Sequence, residues 1–173
     1  CMAGGVALNC VANGRLQNAA VFDDIYIQPA AGDAGGAIGA ALAAHHIYFG
    51  EERVPESPDS MQGAFLGPEY LNIDVERSLR KFKPIYEELT EPELYTKVAQ
   101  VLDEGNVVGW FQGKMEFGPR ALGGRSIIAD PRRIDMQKKL NLKIKYRESF
   151  RPFAPSVLAE DASSYFDLKE NSP

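Results

Sequence analysis

The clearest hydrophobic pattern lies in the second half of the chain. In LYTKVAQVLDEG, Leu94, Val98, Val101 and Leu102 stand at i, i+4, i+7 and i+8. That spacing predicts one apolar helical face, with Gly105 as the stop. NVVGWFQG then reads as a buried strand of about six residues, and RSIIADP as a second short strand. Asp130 is placed to cap a following helix with Pro131 at its first position. That helix sets Met136, Leu140 and Ile144 on one face and Lys138, Lys139, Lys143 and Lys145 elsewhere. FRPFAPSVL is an extended segment bounded by prolines, and AEDASSYF begins another helix.

The first fifty residues follow another pattern, rich in Gly and Ala. GGVALNCVANGRL predicts a Gly-Gly turn entering a short helix. FDDIYIQPA predicts a short strand with Ile25 and Ile27 apolar and Pro29 closing it. AGDAGGAIGAALAAHHIYFG predicts a loop that becomes a small-residue helix ending near Gly50, able to pack closely on a neighbour or a ligand. Residues 51–65 combine acids, prolines and serines without a period and read as a linker. The order of elements is mixed α/β.

Composition narrows the class. The 173 residues are 45% hydrophobic and 25% charged, as expected of a globular chain. No apolar run approaches the roughly 18 residues of a membrane span. No basic-then-apolar leader is present, and two cysteines make no disulfide framework, so the expectation is the cytoplasm. The start at Cys1, directly into a glycine motif, and the end at LKENSP suggest a fragment of a longer protein.

Charge changes the picture more. Net charge is −5, yet Gly109–Arg151 holds eleven Lys/Arg against four Asp/Glu, an excess of seven positive charges. A basic segment in an otherwise acidic chain favours a local anion site over general nucleic-acid affinity. Within it lies QGKMEFGPRALGGRS, residues 112–126, with four glycines, a proline and the cations Lys114, Arg120 and Arg125. Glycines let backbone N–H groups approach an anion, while Lys and Arg supply charge and paired hydrogen bonds. The alternative is a tight turn whose cations pair with Glu116 or Asp130. No Walker pattern is present.

Other features have plain readings beside their chemical ones. AGGVALN could set backbone amides and Asn9 against a nucleotide, or could simply turn between packed elements. Asp33 could hold a metal or cap a helix. His45 and His46 point about 100° apart on a helix and cannot chelate one ion together. Cys10 reads as a small buried hydrophobe. Met115, Phe117, Phe150 and Phe153 read as core.

Four motifs, GGVALNCVANGRL, GDAGGAIGAAL, VVGWFQGKMEFGPRALGGRSIIADPR and FRPFAPSVL, stand together in an order that resembles the NodU/CmcH-type O-carbamoyltransferases over nearly the whole chain. The resemblance implies the end of an actin/hexokinase-like (ASKHA) transferase domain at 1–50. A linker at 51–65 and an incomplete YrdC-like domain at 66–173 would follow. It implies carbamoyladenylate formation from carbamoyl phosphate and ATP, then carbamoyl transfer to a hydroxyl of a sugar or antibiotic-like small molecule. Lys114 and Arg120 would act on the phosphates, with Arg125 and Arg151 as weaker additions. Gly4, Gly5 and Asn9 would lie beside the adenylate. Asp33 would be one ligand of a divalent metal, iron being the expected ion. The family's metal-binding histidines belong to an HxxxH motif that this sequence lacks, so this chain alone should not hold the metal properly. Nucleic acid and membrane are not expected partners, and a homo-oligomer is left open. Two other functions stay in view: a threonylcarbamoyl-adenylate synthase or transferase of tRNA modification, and a non-enzymatic RNA-binding module on the lysine-rich helix.

Overall fold

A computed structural model describes residues 1–57 and 59–167. The closing LKENSP stretch, the end of the expected second domain, lies outside them, as does Pro58 of the expected linker. The chain forms two compact units, Cys1–Glu88 with Gly109–Ile127, and Leu89–Val108 with Ile128–Pro173. Helices and a small sheet alternate in sequence, so the class is mixed α/β.

In the first unit, Gly4 takes φ +81°, a conformation glycine adopts without penalty, and opens a 3₁₀ turn, Gly5–Leu8. Helix α1, Cys10–Asn18, follows, capped by Asn9, whose Oδ1 accepts the Ala12 N–H at 3.1 Å. Cys10 is exposed on its first turn rather than buried, because no described residue covers that face. The strand expected over FDDIYIQPA shrinks to one parallel bridge between Met2 and Ile27. The chain then turns through Ala30 and Ala31, both buried.

Helix α2, Asp33–Ala43, runs on through a π-helical turn, Ala44–Tyr48, and ends before Gly50, as the small-residue pattern predicts. Its N-cap is Gly32, so Asp33 is the first helical residue and its carboxylate does not cap. Only one glycine of this helix explains itself by packing: a Cβ on Gly35 would run into the Ala30 carbonyl and the Gln28 Oε1. Gly36 and Gly39 meet nothing within 4 Å. Helix α3, Asn72–Phe82, has no counterpart in the periodicity reading.

The second unit contains helix α4, Glu91–Asp103, as predicted from the apolar spacing. Gly105 N–H bonds to Leu102 O at 2.9 Å and Asn106 N–H to Val101 O at 3.1 Å. These paired bonds with Gly105 at φ +84° form a Schellman ending, which is why the glycine stops the helix. Val98, Val101 and Leu102 are half-buried and Leu94 is exposed, so the apolar face is covered only in part.

Strands β1, Val107–Phe111, and β2, Arg125–Ala129, pair as a two-stranded sheet, and the chain passes between units within each. β1 is half-buried rather than buried, since a lone pair of strands has no second layer over both faces. Beyond β2 the helix starts later than predicted. Helix α5, Met136–Lys139, continuing as a π turn Leu140–Ile144, begins at Met136 after a turn. Asp130 does not cap it. Its carboxylate instead takes the Arg132 backbone N–H at 2.9 Å and the Arg132 guanidinium at 2.8–3.1 Å. Arg132 also reaches Asp103 at 2.6 Å. Hydrogen bonds from Arg132 hold Asp130 below its ordinary pKa, and the two carboxylates raise that of Arg132.

Met136 and Leu140 are buried, as the helix pattern predicts, and Lys139 Nζ bonds to Gly105 O at 2.6 Å. Phe150 is 77% exposed and so not core, because the segment around it is held by its backbone. Phe153 is half-buried with the Arg147 guanidinium 5.0 Å over its ring, while Met115 and Phe117 are also half-buried. FRPFAPSVL is free of regular structure, and AEDASSYF forms a 3₁₀ turn and helix α6, Ala162–Tyr165. The fully buried apolar side chains among the described residues are Ala7, Ala30, Ala31, Ala64, Met136 and Leu140. Most are alanines.

Candidate functional site

The loop between β1 and β2 is the centre of the site, and it is braced from a direction the sequence did not signal. Gln112 N–H bonds to Gly124 O at 2.9 Å, closing the loop at its base. Ala64–Pro68, at the end of the expected linker and just past it, runs alongside the Met115–Phe117 stretch. Gly67 N–H donates to Met115 O at 2.9 Å, Met115 N–H to Pro68 O at 3.1 Å, and Phe117 N–H to Ala64 O at 2.6 Å. Gly67 permits this approach, for a Cβ there would lie 2.6 Å from Met115 O.

On the loop's other flank, Gly118 at φ +114° sits against the Ala30 turn, where a Cβ would be 3.0 Å from the Ala30 side chain. Gly4 N–H bonds to Ala31 O. The Ala30–Ala31 turn therefore joins the first glycine motif to the central loop, two motifs more than a hundred residues apart.

Inside the loop the organising group is Glu116, which is 3% exposed. Its Oε1 accepts the N–H groups of Leu122 and Gly124, each at 2.7 Å, and that of Arg125 at 3.4 Å. Gly124 has to be glycine: a Cβ would stand 2.6 Å from Lys114 O and 3.2 Å from Glu116 Oε1. Arg125 is tied down as well, donating from Nη1 to Glu116 O at 2.9 Å and from Nη2 to Gly118 O at 2.7 Å. Its Nη1 lies 3.9 Å from Glu116 Oε2.

The two readings of the loop's cations thus divide. Arg125 takes the turn-forming role. Lys114 and Arg120 are exposed and form no ion pair or hydrogen bond with any described residue. Lys114, with Phe65, Gln112, Gly113 and Gly124, lines an open depression of about 470 Å³. Another depression, lined by Ser163–Asp167, contains none of the expected residues.

Burial pushes the Glu116 carboxyl up, but the backbone N–H groups of Leu122, Glu116 itself, Gly124 and Arg125 outweigh it and leave the pKa below its ordinary value of 4.5. The sign follows directly. A lowered folded pKa contributes stability that is fully present above the unfolded value and is lost as pH falls through the folded one. The loop should therefore be indifferent to pH from neutrality down to the ordinary carboxylate value of 4.5 and loosen only as pH falls below it. NMR titration of the Leu122 and Gly124 amides checks this; a common midpoint at or above 4.5 would contradict it.

The remaining candidates fall as follows. Gly4 and Gly5 form the turn before α1, and the Asn9 Oδ1 is used as a helix cap. Asp33 is exposed on the first turn of α2. Among the described residues no group of three or more His, Cys, Asp or Glu side chains could hold a metal ion. One carboxylate does not make a metal site, so the residues present do not fit a metal by themselves. His46 Nδ1 lies 2.9 Å from Glu51 O, and the two histidine rings meet edge to face.

Arg151 belongs to the second unit, where its Nε pairs with Glu148 at 2.9 Å. Its backbone is held by Asn141, a fully buried amide. Asn141 Nδ2 donates to Ser149 O at 3.0 Å and Arg151 O at 2.9 Å, while Oδ1 accepts from Arg147 Nε at 2.7 Å. Gln137 Nε2 adds bonds to Phe150 O and Arg151 O. Sequence reasoning offered Glu116 as a partner for the loop's cations but missed its hold on the loop amides, and it missed Asn141 as clamp. The only available signal was a carboxylate between glycines and an amide on an apolar helical face.

The carbamoyltransferase N-terminus family model matches residues 1–42, and the carbamoyltransferase C-terminus model matches residues 99–173. Over 175 residues the chain is 61% identical to an uncharacterized protein of Synechocystis sp., covering 100% of this chain and 28% of that protein. It is 43% identical over 173 residues to nodulation protein NolO of Bradyrhizobium diazoefficiens, covering 99% and 31%. Nodulation protein U of Sinorhizobium fredii is 36% identical over 166 residues, covering 96% and 27%. The chain spans between about a quarter and a third of the length of these relatives. No described helix is long and apolar enough to cross a membrane. With both regions of one family matched in order, and relatives aligned along nearly all of its length, the chain belongs to the carbamoyltransferase family.

Proposed function

We propose that this chain is part of an ATP-dependent O-carbamoyltransferase, which makes carbamoyladenylate from carbamoyl phosphate and ATP and passes the carbamoyl group to a hydroxyl of a sugar or antibiotic-like small molecule. One observation carries the reading: Lys114 and Arg120 are exposed and pair with no described residue, on a loop whose other ionic groups, Glu116 and Arg125, are already engaged within it. The loop lies inside the region matched by the carbamoyltransferase C-terminus model. Residues 1–50 are assigned to an actin/hexokinase-like transferase domain, 51–65 to a linker and 66–173 to a YrdC-like domain. The enzyme is placed in the cytoplasm.

In this mechanism water first cleaves carbamoyl phosphate to carbamate and inorganic phosphate. Lys114 and Arg120 hold phosphate oxygens and offset their charge as carbamate then attacks the α-phosphate of ATP and pyrophosphate leaves. The protein contributes position and electrostatic stabilisation, with no protein nucleophile needed. Arg125 acts through the loop, and Arg151 is a weaker candidate because Glu148 already holds its charge. Gly4, Gly5 and Asn9 are assigned to the adenylate side of the transferase domain. A divalent-metal site that includes Asp33, with iron as the ion, needs ligands beyond the described residues.

A substrate comparison separates this function from threonylcarbamoyl-adenylate synthesis. Pyrophosphate release by the complete polypeptide should require carbamoyl phosphate with ATP and should not be supported by threonine, bicarbonate and ATP. The reverse preference would replace the proposed reaction with the tRNA-modification one.

A further inference from the structure

One of the two sequence readings offers the glycine loop's backbone amides to a phosphate, but in the structure an anion of the loop itself already holds them. The amides of Leu122, Gly124 and Arg125 converge on one oxygen, the arrangement that binds phosphate or sulfate in other proteins. Here that oxygen is Glu116 Oε1, a side chain from the same loop. Its partner Oε2 is buried without a hydrogen bond, 3.9 Å from Arg125 Nη1. Arg125 spends its two terminal nitrogens on the Glu116 and Gly118 carbonyls. The amides thus satisfy Oε1, while a guanidinium fixed to the loop offsets the charge beside Oε2. Lys114 and Arg120 are left exposed, with no acidic partner among the described residues.

We propose that Glu116 is a positioning residue for the phosphate site: it occupies the loop amides, shapes residues 117–124 around its carboxylate, and so leaves Lys114 and Arg120 as the groups that receive a phosphate-bearing substrate. This rests on the carbamoyl-phosphate reading above. It also fixes how the substrate is held, by two flexible cationic side chains and not by a backbone cradle. Gly124 serves this arrangement by making room for the carboxylate, and Gly118 by letting the loop close on Ala30.

Glu116→Ala distinguishes positioning from simple electrostatics, because the two predict opposite signs. Removing a negative charge beside a cationic site tightens anion binding if charge alone matters. Loss of the loop's anchor weakens it. Titrating the complete polypeptide with carbamoyl phosphate should show at least about tenfold weaker binding by Glu116→Ala. Glu116→Gln, which keeps an acceptor oxygen for the amides, should recover to within about threefold of the unsubstituted protein.

A measurement on the unsubstituted protein keeps the test independent of whether Glu116→Ala folds. Carbamoyl phosphate should shift the Lys114 Nζ and Arg120 Nε NMR signals while the Leu122 and Gly124 amides remain protected from hydrogen exchange. Fast exchange at those amides, or their recruitment by the ligand, would overturn the inference. So would equal or tighter binding by Glu116→Ala beside normal binding by the unsubstituted protein, and that outcome would leave the proposed function standing. No binding at all by the unsubstituted protein would overturn the function, and this inference with it.

Discussion

Alanine at Lys114 or at Arg120 is expected to lower carbamoyl-phosphate-dependent pyrophosphate release by about 10²-fold each, the usual loss on deleting one preorganised group that stabilises developing charge. Neither change should disturb folding. Both side chains are exposed and bonded to no described residue, so each should shift stability by no more than about 0.5 kcal/mol. If both cations hold one phosphate group, as proposed, the double variant should lose less than the product of the two. Arg125→Ala provides the contrast. It removes donors from the Glu116 and Gly118 carbonyls and the cation beside Glu116 Oε2, so its effect should include a fall in thermal stability. Pyrophosphate release left unchanged by both Lys114→Ala and Arg120→Ala would refute their assigned role.

The largest stability effect is expected at Asn141. Its side chain is fully buried and makes three hydrogen bonds, to Ser149 O, Arg151 O and Arg147 Nε. Asn141→Ala deletes all three and leaves a small void, a loss of about 2–3 kcal/mol. Asn141→Asp should be worse although it is nearly isosteric. A carboxylate only accepts, so it would set negative charge against two carbonyl oxygens that need donors. Urea unfolding followed by tryptophan fluorescence and circular dichroism measures both. If both variants lay within about 0.5 kcal/mol of the unsubstituted protein, the clamp would have no energetic meaning. Gln137 still bonds to the Phe150 and Arg151 carbonyls, so the segment should loosen without detaching completely.

Local, periodic features were the legible ones. The i, i+4, i+7, i+8 spacing of α4 and the Gly105 stop depend on interactions within a few residues, and both formed. The same holds for the turn into α1 and the small-residue helix α2; the two expected strands formed as well, because each is the other's partner. Readings that needed a distant partner fared differently. FDDIYIQPA has the alternation of a strand, but a strand exists only when a neighbour offers a full ladder, and Met2 offers one bridge. Asp130 has the position of a helix cap, but the paired hydrogen bonds of Arg132 compete for its oxygens and win. Phe150 and Cys10 are apolar enough to bury, yet no described element covers them.

For the site, the sequence alone determined that a glycine-rich loop, residues 112–124, lies between two strands, in the most basic segment of an acidic chain, with a family's motif written across it. Residue types and short spacings are enough for that. Only the tertiary structure decided which cations are available. Glu116 reaches across six to nine residues to the amides of Leu122, Gly124 and Arg125, Arg125 turns back to two carbonyls, and Ala64–Pro68 and Ala30 close on the loop's flanks. Lys114, Arg120 and Arg125 carry the same charge, and no spacing rule ranks them. A buried carboxylate that takes its hydrogen bonds from the backbone does, by holding one cation inside the loop and leaving two exposed.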